Sequence, residues 1–281
     1  MVTFTPWSAD DAARHIRVPG PGDDKYSRGV LGVLTGSAQY PGAAVLGVEA
    51  ALRTGVGMVR YLGPARAADL VLQRRPEAVV GPGRVQAWLI GSGMDHADRD
   101  DDTRTLSAAA MAEGVPTVLD GGALDLHAAA VGPVILTPHY GELARLLGAR
   151  GATGADVAAI AASPGEWAAR AADQLGATVL LKGSTTHIAG PGIALTASLA
   201  PSWLATAGAG DALAGILGAL VATHAADIAT DPTMLARLGA TASVLHGLAA
   251  ARASHGGPLT ILDLATAVPG TIAGLLSSPL T

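Results

Sequence analysis

The alternation of short apolar runs with longer Ala- and Leu-rich stretches is the feature that most constrains the fold of this 281-residue chain. Strands that alternate with helices in this way are typical of an α/β fold, in which helices cover both faces of a mostly parallel sheet. The predicted strands are 29–35, 57–62, 88–91, 117–120, 134–137 and 178–182, and the predicted helices between them are 43–54, 103–113, 141–147 and 166–175.

The pattern changes after residue 182. Residues 186–189 and 193–196 flank Gly190-Pro191-Gly192 and predict an antiparallel hairpin at the edge of the sheet. A glycine-rich loop follows, and then three predicted helices at 211–224, 233–252 and 261–276. Because no Pro- or Ser-rich linker and no internal repeat interrupts the sequence, we predict a single domain over residues 1–281.

The composition argues against several classes of function. Charged residues make up only 15% of the chain, and the formal net charge is −5. No basic surface for nucleic acid is therefore expected. The sequence contains no cysteine, which excludes disulfides, a catalytic thiol and cysteine-based metal sites, and fits a reducing cytoplasm.

The mean hydropathy of +0.39 raises the question of a membrane span. The best candidate from the sequence, residues 212–222, is too short to cross a bilayer and begins beside Asp211. Residues 1–7 lack the basic region and apolar run of an export signal. The sequence therefore predicts a soluble, cytoplasmic protein that is neither exported nor bound to a membrane.

The segment Ala205-Thr206-Ala207-Gly208-Ala209-Gly210-Asp211 is the clearest candidate for chemistry. Small residues before a helix let a phosphate approach the unpaired backbone N–H groups of the helix start, where the helix dipole adds partial positive charge. Asp211 would lie beside that phosphate and could take a proton from an attacking hydroxyl. The alternative is an ordinary loop in which Asp211 caps the helix.

Small and polar residues also follow the first predicted strand. Gly36, Ser37 and Tyr40 precede Ala43, so a ligand could lie against the backbone here, or the chain could simply turn tightly into the helix. The three spaced glycines of a dinucleotide fingerprint are missing. The acidic segment 95–102 is expected to be a solvated loop or a helix start rather than a metal site.

Three further strand ends carry charged or titratable side chains. His139 would project from its strand towards the proposed cleft, and Glu142 could complement the dipole of the next helix. Lys182, followed by Gly183-Ser184-Thr185-Thr186, could contact a nucleotide phosphate or be a solvated turn residue. Asp120 could hold Mg²⁺ through water or cap the next helix. Together these ends predict a phosphoryl-transfer site without a P-loop.

Over almost its whole length the chain resembles the ADP-dependent NAD(P)H-hydrate dehydratases of the ribokinase-like superfamily. The Ala-Gly-Asp ending at Asp211 is similar to the anion-hole motif of that superfamily, and Thr137-Pro138-His139-x-Gly141-Glu142 is the most discriminating element, because general sugar kinases lack it. The other matching segments are Lys25-Tyr26-Ser27-Arg28-Gly29, Gly36-Ser37…Tyr40-Pro41-Gly42-Ala43, Glu49-Ala50-Ala51-Leu52-Arg53-Thr54-Gly55 and Leu181-Lys182-Gly183. The resemblance implies a three-layer ribokinase-like fold.

The resemblance also implies roles for individual residues. Ala43, Gly93 and His139 would contact the hydrated dinucleotide, and Asp211 would be the catalytic base. The predicted substrate site comprises Gly36, Ser37, Tyr40, Ala43, Gly93, Asp120, His139 and Asp211. The predicted nucleotide site comprises Lys182, Gly183, Ser184, Thr185, Thr186, Gly208, Ala209 and Gly210.

The implied activity is the dehydration of hydrated NADH or NADPH. ADP would phosphorylate the ring hydroxyl and phosphate would then leave, giving AMP and NAD(P)H, with Mg²⁺ as cofactor. Bacterial members of the family are typically tetramers and often carry a fused epimerase domain, for which 281 residues leave no room. The alternatives are a ribokinase-like kinase of a hydroxymethylpyrimidine or thiazole alcohol, and a catalytically silent nucleotide-binding regulator.

The chain departs from the family pattern at three places. Ala209 stands where the family usually has Thr in Gly-Thr-Gly-Asp, and Ala200-Pro201-Ser202-Trp203 replaces an Asn-Gly-Asn-like element. Asp120 is followed by Gly121-Gly122 instead of Ala-Asp. Because backbone amides form the anion hole, activity is expected to survive these changes, while the regulator remains an alternative.

Overall fold

The computed structural model describes residues 2–277, so Met1 and residues 278–281 of the predicted domain lie outside it. Within this range ten strands form one sheet. The strands are β1 (Thr5–Pro6), β2 (Val30–Leu34), β3 (Met58–Tyr61), β4 (Val79–Val80), β5 (Ala87–Ile90), β6 (Thr117–Leu119), β7 (Val134–Leu136), β8 (Thr178–Leu181), β9 (Thr186–Gly190) and β10 (Ile193–Ala197).

Helices cover both faces of this sheet. They are α1 (Ala9–Ala13), α2 (Gly42–Thr54), α3 (Ala65–Arg74), α4 (Asp101–Ala112), α5 (Tyr140–Ala149), α6 (Val157–Ala162), α7 (Pro164–Leu175), α8 (Ala209–Thr223), α9 (Ala225–Ile228), α10 (Met234–Ser254) and α11 (Ile261–Ser277). Two 3₁₀ helices, Gly121–Ala129 and Ser202–Leu204, are also found in the described range.

The strand order is β1-β10-β9-β8-β7-β6-β5-β2-β3-β4. Neighbouring strands from β8 to β4 run parallel, and β9 runs antiparallel to both β8 and β10. The predicted mostly parallel sheet is confirmed. The direction of chain progress reverses between β2 and β5, and ligands of such sheets bind beyond the carboxyl ends of the strands near such a reversal.

The sequence prediction of the sheet edges was incomplete. The hairpin of β9 and β10 is present, but β1 pairs in parallel with β10 and lies outside it. At the opposite edge β4 pairs with β3. Both edge strands have two residues, too few to show the alternation by which a strand is recognised in a sequence.

Pro6 faces outward at the β1 edge. The N–H of the next residue, Trp7, donates to the carbonyl of Thr196 in β10. Because successive backbone groups in a strand point to opposite sides, the nitrogen of Pro6 points away from the sheet, and it carries no hydrogen.

Alternate residues of the central strands pack into two different cores. Leu31 and Val33 of β2 lie in a cluster built with α2, α8, α10 and α11, whereas Val30 and Leu34 lie in a cluster built with α4, α5 and α7. Successive side chains of a strand point to opposite faces. The sheet is therefore the middle layer of a three-layer molecule, as the sequence predicted.

Helices α2 and α8 approach each other through glycine. A Cβ atom at Gly215 of α8 would overlap the carbonyl of Gly47 in α2, and a Cβ at Gly47 would lie 3.5 Å from the carbonyl oxygen of Asp211. Backbone contacts of this kind need residues without side chains on the facing surfaces. The position of Asp211 is thus fixed by backbone packing between two buried helices.

The segment most similar in length and composition to a membrane span is Met234–Ser254, which is α10, and not the stretch 212–222 considered from the sequence. In the fold, 78% of its most apolar window is buried. Burial within the protein accounts for its apolar character, since a helix that is hydrophobic all round is a core helix or a membrane span.

Candidate functional site

The carboxyl ends of five neighbouring strands bring most of the predicted site residues to one edge of the sheet. Gly36 follows β2, Gly93 follows β5, Asp120 follows β6, His139 follows β7 and Lys182 follows β8. With adjacent strands about 4.8 Å apart, the four intervals from β8 to β2 span about 19 Å. This edge is long enough to hold two ligands side by side.

Asp120 is the centre of a buried hydrogen-bond network. Its carboxylate accepts from Ser92 Oγ at 2.8 Å, from Thr137 Oγ1 at 2.6 Å and from Lys182 Nζ at 2.9 Å. Burial favours the neutral acid, but the charge of Lys182 and the three hydrogen bonds outweigh it and hold the pKa of Asp120 below its usual value. Asp120 is therefore a fixed anion inside the protein.

The capping hypothesis for Asp120 was wrong. The residue precedes the 3₁₀ helix Gly121–Ala129, but its side chain makes no capping hydrogen bond with any described residue. Its oxygens are directed instead to Ser92, Thr137 and Lys182, which belong to three other strand ends.

Lys182 is an interior cation and not a solvated turn residue. Its side chain is 21% exposed and pairs with Asp120, and Nζ lies 3.7 Å from Oε2 of Glu142. Burial favours the neutral amine, yet Asp120, Glu142 and Asp211 together raise the pKa of Lys182 above its ordinary value. A positive charge is thus held at the end of β8.

Asp211 is the third residue of α8, and Gly208, with φ of +89°, occupies the cap position. The hypothesis that Asp211 is the helix cap was therefore wrong. Burial and the nearby charge of Asp120 raise the pKa of Asp211 to about 6, although Lys182 acts in the opposite direction. Such a carboxylate is mostly ionised at neutral pH and more basic than an exposed Asp.

A cavity of about 490 Å³ lies between the end of β8 and the start of α8. A Cβ at Gly210 would be 3.5 Å from Lys182 Nζ, so the lysine faces the first turn of α8. The predicted nucleotide residues that line the cavity are Lys182, Gly183, Ser184, Thr186, Ala209 and Gly210. Thr185 and Gly208 are not among its lining residues.

A second cavity, of about 290 Å³, lies beyond the ends of β2 and β5. Gly36, Ser37 and Tyr40 line it, as do the acidic residues Asp95, Asp98 and Asp100. Asp100 also caps α4, because its carboxylate accepts from the N–H of Thr103 at 2.7 Å. The helix start expected within 95–102 is therefore confirmed.

Ala43 and Gly93 lie close to this second cavity without lining it, whereas Asp120, His139 and Asp211 line neither cavity. A Cβ at Gly93 would overlap the methyl group of Ala43 and would lie 3.3 Å from Cα of Gly36. The turns after β2 and β5 are thus packed directly against each other. Gly93, with φ of +70°, suits both this contact and its backbone conformation.

His139 begins α5 by accepting hydrogen bonds at Nδ1 from the N–H groups of Gly141, at 3.0 Å, and Glu142, at 3.2 Å. In return, Glu142 Oε2 accepts from the N–H of His139 at 2.8 Å. Since Nδ1 is an acceptor, the hydrogen of the neutral ring is assigned to Nε2. The side chain is 60% exposed, so Nε2–H is available to a ligand.

The sequence did not identify three side chains that the structure places at the site. Ser92 and Thr137 hold Asp120, and His246 of α10 lines the larger cavity. Ser92 and Thr137 lie just after the ends of β5 and β7, so their positions in the sequence could have identified them. His246 lies in a helix far along the chain, and nothing in its sequence neighbourhood connects it with the strand ends.

Comparisons with known proteins agree with this fold. A family profile described as NAD(P)H-hydrate dehydratase matches residues 31–267. The structure resembles that of an ADP/ATP-dependent NAD(P)H-hydrate dehydratase from Bacillus subtilis crystallised with ATP and Mg²⁺, with a TM-score of 0.85, 25% identity and coverage of 98% of this chain and 100% of the other.

Two curated relatives extend the comparison. The bifunctional NAD(P)H-hydrate repair enzyme Nnr of Mycobacterium tuberculosis is 44% identical over 234 residues, which are 77% of this chain and 46% of the relative. An ADP-dependent (S)-NAD(P)H-hydrate dehydratase of Xanthomonas campestris is 35% identical over 235 residues, or 75% and 78% of the two chains. The chain spans about half the length of the bifunctional relatives that it matches. With the profile match covering most of its sequence, the chain belongs to the NAD(P)H-hydrate dehydratase family.

Proposed function

We propose that this protein is an ADP-dependent dehydratase that converts hydrated NADH or NADPH back to the reduced nucleotide. The observation that carries the proposal is Asp211, a partly buried carboxylate with a raised pKa in the first turn of α8 and within the electrostatic reach of Lys182. The relatives named as dehydratases support the choice of substrate. The two cavities, of about 490 and 290 Å³, lie along one edge of the sheet, the first beside the predicted nucleotide residues and the second beside three of the predicted substrate residues.

In the proposed reaction, Asp211 takes the proton from the hydroxyl group on the ring carbon next to nitrogen. The hydroxyl oxygen attacks the terminal phosphorus of ADP, and AMP leaves. The nitrogen lone pair then expels phosphate from the ring carbon, and loss of a proton from the neighbouring carbon restores the dihydropyridine. The N–H groups at the start of α8 and the charge of Lys182 stabilise the transferring phosphoryl group.

Asp211 suits the role of general base because proton transfer is most effective when the pKa of the base lies near the working pH. The buried carboxylate of Asp120 has a structural role instead. It stays ionised and holds Lys182 in place through the 2.9 Å contact. Two neighbouring carboxylates thus have different roles because one is paired with a cation and the other is not.

Mg²⁺ is part of this proposal. Residues 2–277 contain no group of three or more His, Asp or Glu side chains that could hold a metal ion. Mg²⁺ in phosphoryl-transfer sites is held by one or two carboxylates together with phosphate oxygens and water, and Asp120 could hold it here through water. When bound, the ion would neutralise charge on the phosphates.

Other features of the proposal concern the protein in the cell. We propose a cytoplasmic homotetramer that binds neither nucleic acid nor membrane. The net charge of −5 is consistent with the absence of a nucleic-acid partner. Sedimentation of the purified protein would test the tetramer.

The deciding experiment supplies hydrated NADH with ADP or ATP and follows two products. Release of inorganic phosphate together with return of the absorbance of reduced nicotinamide is the expected result. A stable phosphorylated product would instead identify a kinase, and nucleotide binding without turnover would identify a regulator. Either outcome overturns the proposed function.

Asp211→Asn should abolish most of this activity while the protein stays folded. Loss of a general base typically lowers turnover about 10²–10⁴-fold. The pKa of Asp211 in the folded protein is about 6, above its ordinary value of 3.8, so folding favours the protonated carboxyl. The contribution of Asp211 to the free energy of unfolding is therefore complete below pH 3.8 and is lost as the pH rises through 6. At pH 8 the variant should therefore melt no lower than the wild type.

Asp173→Asn serves as a matched control, because Asp173 is an exposed carboxylate of α7. It should change neither turnover nor melting temperature. Near wild-type turnover in a folded Asp211→Asn variant would show that Asp211 is not the base.

A further inference from the structure

His246 is a buried histidine in the wall of the larger cavity. It lies on α10 with 6% of its surface exposed, between the fully buried Leu245 and the buried Gly247. The cavity that it lines is also lined by Lys182, Ala209 and Gly210. An ionisable side chain therefore stands next to the first turn of α8.

The Nε2 atom of His246 has no hydrogen-bond partner in the part of the chain that the structure describes. Leaving a buried polar atom unpaired is unfavourable. Ser243, one turn earlier on the same helix, also lines the cavity, but its hydroxyl donates to the carbonyl of Gly239 at 2.9 Å. His246 thus has hydrogen-bonding capacity that the fold leaves unused.

The ring is neutral in the absence of a ligand. Burial lowers the pKa of His246 to about 4, a hydrogen bond with the backbone of Ala209 opposes this, and the charge of Lys182 adds to the lowering. A neutral imidazole carries one hydrogen, which can reside on either nitrogen. Donation from Nε2 to a phosphate would therefore replace the hydrogen bond with Ala209 by one to a charged group, without any change in net charge.

The chemistry around the ring suits an anion. Ala209 is the first residue of α8, whose first N–H groups have no partner within the helix, and Lys182 faces the same turn. Helix starts bind phosphate through such N–H groups and the helix dipole. A phosphate bound there would lie beside the His246 ring. A rotation about the Cβ–Cγ bond of His246 would turn Nε2 towards that phosphate.

We infer that His246 is a phosphate-binding residue of the nucleotide site, donating Nε2–H to a phosphate oxygen of the bound nucleotide. The inference rests on the proposed function in taking an adenine nucleotide as the occupant of the cavity. It adds a neutral donor from α10 to the N–H groups of α8 and the cation of β8. Three separate elements would then hold the phosphates.

The test is calorimetric titration of the wild type and His246→Leu with ADP and with adenosine, which lacks phosphate. His246→Leu should weaken ADP binding by about 10- to 100-fold, the range for one hydrogen bond to a charged group. Adenosine binding should not change. The substitution removes an unpaired buried nitrogen and also the hydrogen bond with Ala209, so thermal melting of the ligand-free variant must first show that it is folded.

His224→Leu is the matched control. His224 is also a buried histidine, 7% exposed, but it lies at the far end of α8 and its Nδ1 is 2.9 Å from the carbonyl of Leu220. This variant should lose thermal stability and keep its affinity for ADP. Retained ADP affinity in His224→Leu and weakened ADP affinity in His246→Leu would separate a binding role from a structural one.

Two results would overturn the inference. Equal weakening of ADP and adenosine would place His246 against the nucleoside, and unchanged ADP binding would make it an ordinary core residue. Should His246→Leu fail to fold, His246→Gln, which retains a side-chain N–H donor, must keep ADP affinity within about tenfold. If the wild type itself does not bind ADP, the proposed function fails first, so the two failures are distinguishable.

Discussion

The environment of each carboxylate, and not its residue type, decides its role at this site. Asp120 is buried and Asp211 is partly buried, but the pKa of Asp120 is held low by Lys182, whereas burial and the charge of Asp120 raise the pKa of Asp211 to about 6. The positions of Asp211 and Lys182 at one edge of the sheet could be predicted from the sequence, because each stands at the end of a recognisable element. The pairing of Lys182 with Asp120 could not, because it depends on which strands are neighbours.

The raised pKa of Asp211 predicts the pH dependence of the reaction. As a base it must be ionised, so kcat/KM for hydrated NADH should fall about tenfold for each pH unit below about 6 and level off above it. Initial rates between pH 5 and pH 8, with stability checked at each pH, measure this. A flat profile over that interval would exclude Asp211 as the titrating base.

Lys182→Met should destabilise the protein strongly, because it leaves the carboxylate of Asp120 buried without its cation. Breaking one side of a buried ion pair typically costs about 3–5 kcal/mol. The double variant Lys182→Met/Asp120→Asn should recover part of this loss. Urea unfolding of the two single variants and the double variant gives the coupling energy.

Arg104→Ala provides the comparison, because the pair of Arg104 with Asp101 is exposed on α4. Its free energy of unfolding should be nearly unchanged, as for most surface ion pairs. A loss no larger for Lys182→Met than for Arg104→Ala would mean that the Lys182–Asp120 contact is not a structural ion pair.

At the scale of elements, the contact between α2 and α8 stabilises the fold and also fixes the position of Asp211 in the first turn of α8. The sequence predicts both helices from their Ala- and Leu-rich composition and identifies the loop before α8. It does not show that Gly47 and Gly215 face each other, because their contact joins distant parts of the chain. The capping of α5 by His139 is a second feature that the sequence does not show, because His is uncommon at the cap position of a helix.

Gly215→Ala should force α2 and α8 apart, because the new methyl group meets the backbone carbonyl of Gly47. Overpacking of a core typically costs about 1–3 kcal/mol. Turnover should fall as well, since Asp211 lies in the first turn of the displaced helix. Thermal melting and steady-state kinetics measure the two effects.

Gly218→Ala, on the same helix, is the control. A Cβ there would lie 3.0 Å from the end of the Leu31 side chain, which can move aside. Ala also favours helix over Gly by about 1 kcal/mol. This variant should keep its stability and activity, and equal losses in both variants would argue against a specific role for the Gly47–Gly215 contact.

At the scale of the whole molecule, the alternation of elements was sufficient to predict the layers but not the order of strands. Periodicity reports which residues are buried, whereas strand order depends on contacts between distant segments. The short strands β1 and β4 escaped prediction for a related reason, since two residues carry no periodic pattern. The single-domain assignment stays a prediction.

A single domain should unfold in one transition. The two cores share the central sheet, so losing one exposes the other face of the same strands. Trp88 lies in one core and Trp7 packs against the other. Urea unfolding followed by tryptophan fluorescence and by far-UV circular dichroism should therefore give coincident curves. Two separated transitions would show that the two faces fold independently.

The proline at the β1 edge has a consequence for behaviour at high protein concentration. A sheet can be extended by a strand from another molecule wherever its edge offers free N–H groups. Pro6 offers none, so intermolecular strand addition is blocked at that position. At the other edge, Val79 and Val80 are exposed in β4. Aggregation by strand addition should therefore begin at β4, and a lysine in place of Val80 should slow it.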